Sequence, residues 1–135
     1  MTYLLDTTAF SALMRRAPKV QARITNLSAN DRAVICTITR GEILYGLARL
    51  PTGKRHQDLE AEATKLFNQL DCVSVPEAAG DRYATIKSAA ERQGTPLDEN
   101  DLWIAATALS LNAILVSMDS DFLRVNALKV EDWTS

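Results

Sequence analysis

Five short apolar runs punctuate the chain: Tyr3 to Leu5, Val34 to Ile38, Cys72 to Val75, Ile114 to Val116 and a weaker Leu128 to Val130. Continuous apolar runs of this length suit strands covered on both faces, the usual situation in parallel sheets. Between them the spacing changes. Leu59, Ala63, Leu66 and Leu70 recur at helical intervals, as do Leu44, Leu47 and Ala48, and Tyr83, Ile86 and Ala90, which lays an apolar stripe along each of three helices. The segment 102–111 is different: Leu102, Ile104, Ala105, Ala106, Ala108, Leu109 and Leu111 leave little polar face, so it predicts a central helix packed on most sides. Strand and helix alternate, which predicts an α/β fold, a three-layer α/β/α sandwich around a mostly parallel sheet. Pro18, Pro51, Pro76 and Pro96 fall in the proposed connections, and each steers the residue before it away from helical geometry.

No internal repeat, low-complexity tract or linker interrupts this pattern, so residues 1–135 read as one domain. At 135 residues and 47% hydrophobic content, the chain can bury a core without metal or disulfide staples. Fifteen basic residues face seventeen acidic ones, so net charge points to no class of partner. Cys36 and Cys72 lack CxxC spacing and fall in apolar runs, which predicts two small buried thiols in a reducing compartment. Asp6 interrupts the N-terminal apolar run too early for a secretory signal. The longest apolar stretch, "WIAATALSLNAILVSM", is broken by Thr107, Ser110 and Asn112 and falls short of the roughly 20 residues of a membrane span. The expectation is a soluble cytoplasmic protein without a membrane partner.

Ligands of open parallel sheets bind beyond the carboxyl ends of the strands, where strand order reverses. In this chain acids follow the predicted strands. Asp6 closes the first, Glu42 stands in the first turn of the helix after the second, Asp101 begins the central helix, and Asp119 follows Ile114 to Val116 at once. Each acid also has a local explanation. Thr39 to Glu42 matches a capping box; Asp98 and Asp101 share that spacing and favour the helix dipole; Asp6 could cap the next helix; Asp119 to Asp121 could be an Asx-type turn. Convergence of all four on one crevice, however, would set carboxylates against each other, and close unscreened like charges cannot all stay ionised. A hard divalent cation resolves that conflict, because Mg²⁺ prefers oxygen ligands, keeps several waters and takes one or two carboxylates plus phosphate oxygens. The pattern points to a metal-dependent phosphodiesterase.

These residues carry a resemblance to the PIN domain, specifically to VapC-type toxins of bacterial toxin–antitoxin pairs. The family's opening strand and Asp-Thr-Asn is matched by "YLLDTTAF", its second acidic element by "ITRGEILYG", its third by "NDLWIAATAL", its fourth by "LVSMDSDF", and its ending by "LKVEDW". The resemblance runs nearly end to end. Thr8 stands where the family commonly has Asn, which leaves the acids intact and changes a contact beside them. The resemblance implies that Asp6, Glu42, Asp101 and Asp119 form an acidic quartet for Mg²⁺ or Mn²⁺. Asp119 is preferred to Asp121 because it sits at the strand tip, with Asp121 expected to cap the "DFLRV" turn. Asp98 is expected as an N-terminal helix acid. Ser117, in the place of the family's strand-end hydroxyl, either orients substrate or a ligand acid or is a plain strand serine.

The implied activity is that of a toxin endoribonuclease, hydrolysing RNA phosphodiester bonds by metal-activated water to leave a 5′-phosphate and a 3′-hydroxyl. The implied partners are RNA, a cognate VapB-type antitoxin and a second copy of the chain. With one histidine, His56, in a polar stretch, a two-imidazole route is excluded within one chain, and no G-x-S-x-G elbow supports a serine hydrolase. For backbone contacts to RNA, Arg40 is the best candidate by position; the groups Arg15, Arg16, Lys19, Arg23 and Arg49, Lys54, Arg55 read better as solvated faces. Trp103 reads as core, and both a packed and a partly exposed Trp133 fit the sequence. The alternative within the family is a catalytically silent PIN domain that only binds RNA or antitoxin. A receiver-type phosphoacceptor would need an aspartate after the third strand, where "CVSVPEAAG" offers only Glu77, and a D-x-D phosphatase would need one where Thr8 stands.

Overall fold

The structure, a computed structural model, describes all residues from Met1 to Ser135. In chain order its elements are β1 (Thr2–Leu5), α1 (Thr7–Met14), α2 (Pro18–Thr25), β2 (Arg32–Cys36), α3 (Thr37–Arg49), α4 (Lys54–Gln69), β3 (Asp71–Val73), α5 (Ala78–Arg92), α6 (Glu99–Ser110), β4 (Ile114–Val116), a 3₁₀ turn (Ser120–Arg124) and β5 (Val130–Glu131). The five strands form one sheet in the order β3-β2-β1-β4-β5, parallel at every pairing. All carboxyl ends therefore lie along one edge. The chain winds outward from β1 through β2 to β3, then returns to the other side of β1 for β4, so strand order reverses between β1 and β4.

Side-chain alternation divides the core between the two faces. Leu5, Ile35 and Val116 join the cluster beneath α1 to α4. Leu4, Val34, Cys36 and Leu115 join the one beneath α5 and α6. Because both faces are covered, the strands read as unbroken apolar runs, as expected of a three-layer parallel sheet. Helix α6 buries Leu102, Ile104 and four consecutive small side chains from Ala105 to Ala108, so it is packed on most sides. Trp133 is buried, its ring 5.4 Å from Tyr3 and its indole N–H donating to Glu131.

Three expectations need correction. Cys72 is exposed, because β3 is a three-residue edge strand with little over it; only Cys36 is buried. Helix α3 begins at Thr37, so Ile38 belongs to it rather than to β2. Its buried stripe is Thr39, Ile43 and Leu47, while Leu44 is 45% exposed. His56, in its polar stretch, is half-buried, with its Nε2 3.4 Å from Glu60. Pro18 starts α2, where a missing N–H costs nothing; the other three prolines lie in connections.

Candidate active site

The site forms where β1 and β4 end side by side. The backbone N–H of Asp6 donates to the carbonyl of Val116 at 3.0 Å, which locks the two strand tips together and brings residues 6 and 117 into contact. Asp6 is almost fully buried. Its Oδ1 accepts from the N–H of Ala9 at 2.9 Å, so it does cap α1. The same carboxylate also reaches across the sheet: Oδ1 accepts from Thr8 Oγ1 at 2.6 Å, and Oδ2 from Ser117 Oγ at 2.5 Å. Capping and convergence are combined in one side chain. Burial raises the Asp6 carboxyl above its ordinary value, and the hydrogen bonds from Ser117, Thr8 and the local amides oppose that rise.

Thr8 and Ser117 tie this carboxylate to the loop carrying Asp119. Thr8 Oγ1 accepts from the N–H of Met118 at 3.0 Å, and Ser117 Oγ accepts from the N–H of Asp119 at 3.0 Å. Ser117 is thus more than a plain strand serine, and the Thr8 hydroxyl acts as both donor and acceptor. Asp119 caps the 3₁₀ turn, accepting from the N–H of Asp121 at 2.9 Å. This corrects the expectation that Asp121 is the cap; Asp121 is exposed and pairs with Arg124 at 3.0 Å.

Glu42 comes from the opposite wall. The capping box with Thr39 does not form, because α3 starts two residues before Thr39, whose buried hydroxyl has no hydrogen-bond partner. Instead Glu42 Oε1 accepts from the Thr7 hydroxyl, and Oε2 accepts from Asn100 Nδ2 at 3.2 Å. Thr7 and Asn100 are holding residues that sequence reasoning missed; each immediately neighbours a quartet acid, and that adjacency was the available signal. Asp98 is the N-cap of α6, as expected, accepting from the N–H of Asn100 at 3.3 Å.

Asp101, in the first turn of α6, makes no hydrogen bond with the protein. Its carboxyl is pushed up to about 7, first by burial, then by the negative charges of Asp98, Asp119, Glu42 and Asp6. The structure therefore brings together all four quartet acids and adds Asp98. None of the molecule's eight ion pairs involves any of these five. The carboxylates ring the crevice without closing into a cage: no group of three is arranged to ligate one ion. The donor set is nonetheless all oxygen, without His or Cys, and carries negative charge that no side chain offsets. That fits a hard, largely hydrated divalent cation rather than a soft metal.

Arg40 does not serve this crevice. Two helical positions separate it from Glu42, turning it about 200° around α3, and its guanidinium lies over Phe67 at 4.5 Å. Trp103 also faces elsewhere, stacked on Tyr83 at 4.1 Å.

The sequence and the fold that carry this crevice have close counterparts among known proteins. Residues 3–128 match the PIN domain family. Ribonuclease VapC1 of Haemophilus influenzae strain R2866 is 36% identical over 137 aligned positions, which cover 99% of each chain. The solved structure of VapBC-1 from nontypeable Haemophilus influenzae superposes with a TM-score of 0.87 at 33% identity, covering both chains completely. VapBC2 from Rickettsia felis, solved bound to a promoter DNA fragment, shares the fold with a TM-score of 0.89 at 24% identity over 98% of this chain and 99% of that one. With fold and sequence in agreement over almost the whole length, this chain belongs to the PIN-domain family, in the branch of the VapC ribonucleases.

Proposed function

We propose that the chain is the toxin of a toxin–antitoxin pair, an endoribonuclease whose acidic site works with Mg²⁺ or Mn²⁺ and is restrained by a cognate VapB-type antitoxin. The observation that carries this reading is Asp101: a half-buried carboxyl with no protein partner, surrounded by four acids and no base. A binding module has no physical use for such repulsion, whereas a cation site requires it. Asp6, Asp101 and Asp119, with Glu42, would hold the ion. When bound, a divalent cation supplies an acidified water and neutralises charge on the phosphodiester.

The remaining work falls to the chain itself. Ser117 and Thr8 orient both oxygens of Asp6 and fix the loop that carries Asp119. Thr7 and Asn100 hold Glu42 against the far wall. Burial and neighbouring charge keep a proton on Asp101 near neutrality, and that proton must leave before the carboxylate can act as a ligand. Attack by water on the phosphorus, with the 3′-oxygen of the upstream nucleotide leaving and taking up a proton, leaves a 3′-hydroxyl on that nucleotide and a 5′-phosphate on the next.

The test is cleavage of total cellular RNA by antitoxin-free protein in Mg²⁺, Mn²⁺ or chelator, with end mapping of the products. Metal-dependent cleavage that disappears in Asp6→Asn and Asp101→Asn, both still folded by circular dichroism, is the expected result. An inactive wild-type protein in every metal that still binds RNA or antitoxin would establish the silent-binder alternative instead.

A further inference from the structure

The proposed chemistry leaves a gap: a crevice of unpaired acids repels RNA, phosphate contacts normally supply much of the affinity, and Arg40 lies on the wrong flank of α3. A groove of about 660 Å³ opens directly beside the site, sharing Thr7 and Glu42 with it and running between α1, α3 and the start of α4. Arg15, Lys54 and Arg55 line it, all exposed. Arg15 and Arg55 belong to none of the ion pairs, whereas Arg16, on the same turn as Arg15, is engaged by Glu62. Lys54 meets only Asp58, at 3.4 Å between two exposed side chains, a contact worth little in water. The floor is apolar, with Met14, Leu47 and Leu59 among its residues. A volume in the range of small-ligand pockets suits a short stretch of single strand and not a duplex.

Resting on the reading of the site as a ribonuclease centre, we infer that this groove carries the single-stranded RNA flanking the scissile bond, with Arg15 and Arg55 gripping its phosphates and the apolar floor receiving sugar or base. The groove starts at a quartet acid, so a strand held there passes directly over the acidic crevice. Its free cations oppose the charge that the crevice would otherwise turn away. These two arginines determine how RNA docks and take no part in bond cleavage.

The experiment uses full-length, antitoxin-free protein and a fluorescein-labelled, mixed-sequence, single-stranded RNA. Anisotropy is read in the Asp101→Asn background across about 50–200 mM salt, with and without Arg15→Ala, Arg55→Ala and both together. Each substitution is expected to weaken binding several-fold at low salt and to reduce the slope of log affinity against log salt by about 0.7, the single-strand value per phosphate contact. Arg15→Lys with Arg55→Lys should restore most of that slope. In the cleavage assay with Asp101 intact, KM should rise. Affinity and slope within twofold of the parent in the double alanine variant overturn the inference, as does loss of antitoxin binding with RNA binding unchanged, which would assign the groove to a protein partner. An inactive wild type would refute the ribonuclease reading, while the anisotropy series still reports separately on the groove.

Discussion

Asp101→Asn should stabilise the metal-free protein, the reverse of what removing an acid from a helix first turn ordinarily does. Such an acid usually gains about 0.3–1 kcal/mol from the helix dipole. Here burial and four like charges outweigh the dipole, raising the carboxyl from 3.8 to about 7. At face value that rise corresponds to roughly 4 kcal/mol, at about 1.4 kcal/mol for each tenfold change in acidity. The side chain is only half-buried and solvent screens its neighbours, so about 1.5–2 kcal/mol is the realistic penalty. Subtracting the lost dipole term leaves a net gain of ~1 kcal/mol for Asn, or about 3–5 °C in Tm for a chain of this size.

The pH dependence fixes the sign. Between about pH 4 and 7 the folded carboxyl keeps a proton that the unfolded chain has already released, so raising the pH through this window costs stability. The penalty is absent below the window and complete above it. The Asn variant should therefore exceed wild type most at about pH 8, and by progressively less as the pH falls towards about 5. Excess Mn²⁺ should invert the ranking, since saturation a hundredfold over Kd adds about 2.7 kcal/mol to the protein that binds it. Thermal unfolding in EDTA and in MnCl₂, followed by circular dichroism across that pH range, measures all of this. A variant less stable than wild type in EDTA at about pH 8, or an advantage that does not change with pH, would mean that the acids do not converge on Asp101. A missing inversion in Mn²⁺ would remove Asp101 from the ligand set.

Substitutions at four further positions probe the surrounding residues. Thr8→Val removes the acceptor of the Met118 N–H and a donor to Asp6, and should cost about 1–2 kcal/mol in urea unfolding and weaken Mn²⁺ binding; Thr8→Asn, whose amide can both accept and donate, should retain most of each. Asn100→Ala leaves Glu42 with one fewer partner, so calorimetric titration should show roughly tenfold weaker Mn²⁺ binding, with stability changed by no more than about 0.5 kcal/mol at this exposed position. Asp119→Asn should abolish RNA cleavage in a gel assay, whereas Asp121→Asn, which loses only the surface pair with Arg124, should cleave like wild type.

The layers of the fold were legible because a parallel sheet covered on both faces leaves its strands as bare apolar words, such as Leu4-Leu5 and Leu115-Val116. The boundaries were harder to read. Ile38 is β-branched and continues the apolar run of β2, yet the chain has already turned at Cys36 into α3, where packing decides what propensity leaves open. That displacement hid the true buried stripe of α3. It also made Thr39 and Glu42 look like a cap and its partner, when the helix had begun earlier and Glu42 was free to face the crevice.

The acids themselves were legible because each stands at a strand end or helix start, and the fold brings those seams together. Thr8 and Ser117 stood out among their holding partners, but Thr7 and Asn100 did not, for a related reason: a hydroxyl or amide beside an acid at a helix N-terminus carries the sequence signature of a local cap, and both have it. Asp6 shows why the local reading cannot be set against the functional one, since a carboxylate has lone pairs for both: one oxygen caps α1 while the other crosses to Ser117. Local hydrogen bonding therefore says little about whether an acid belongs to a site. More diagnostic is an acid at the same seam that the local structure leaves without a partner, and Asp101, a half-buried carboxyl facing four others, is in that position.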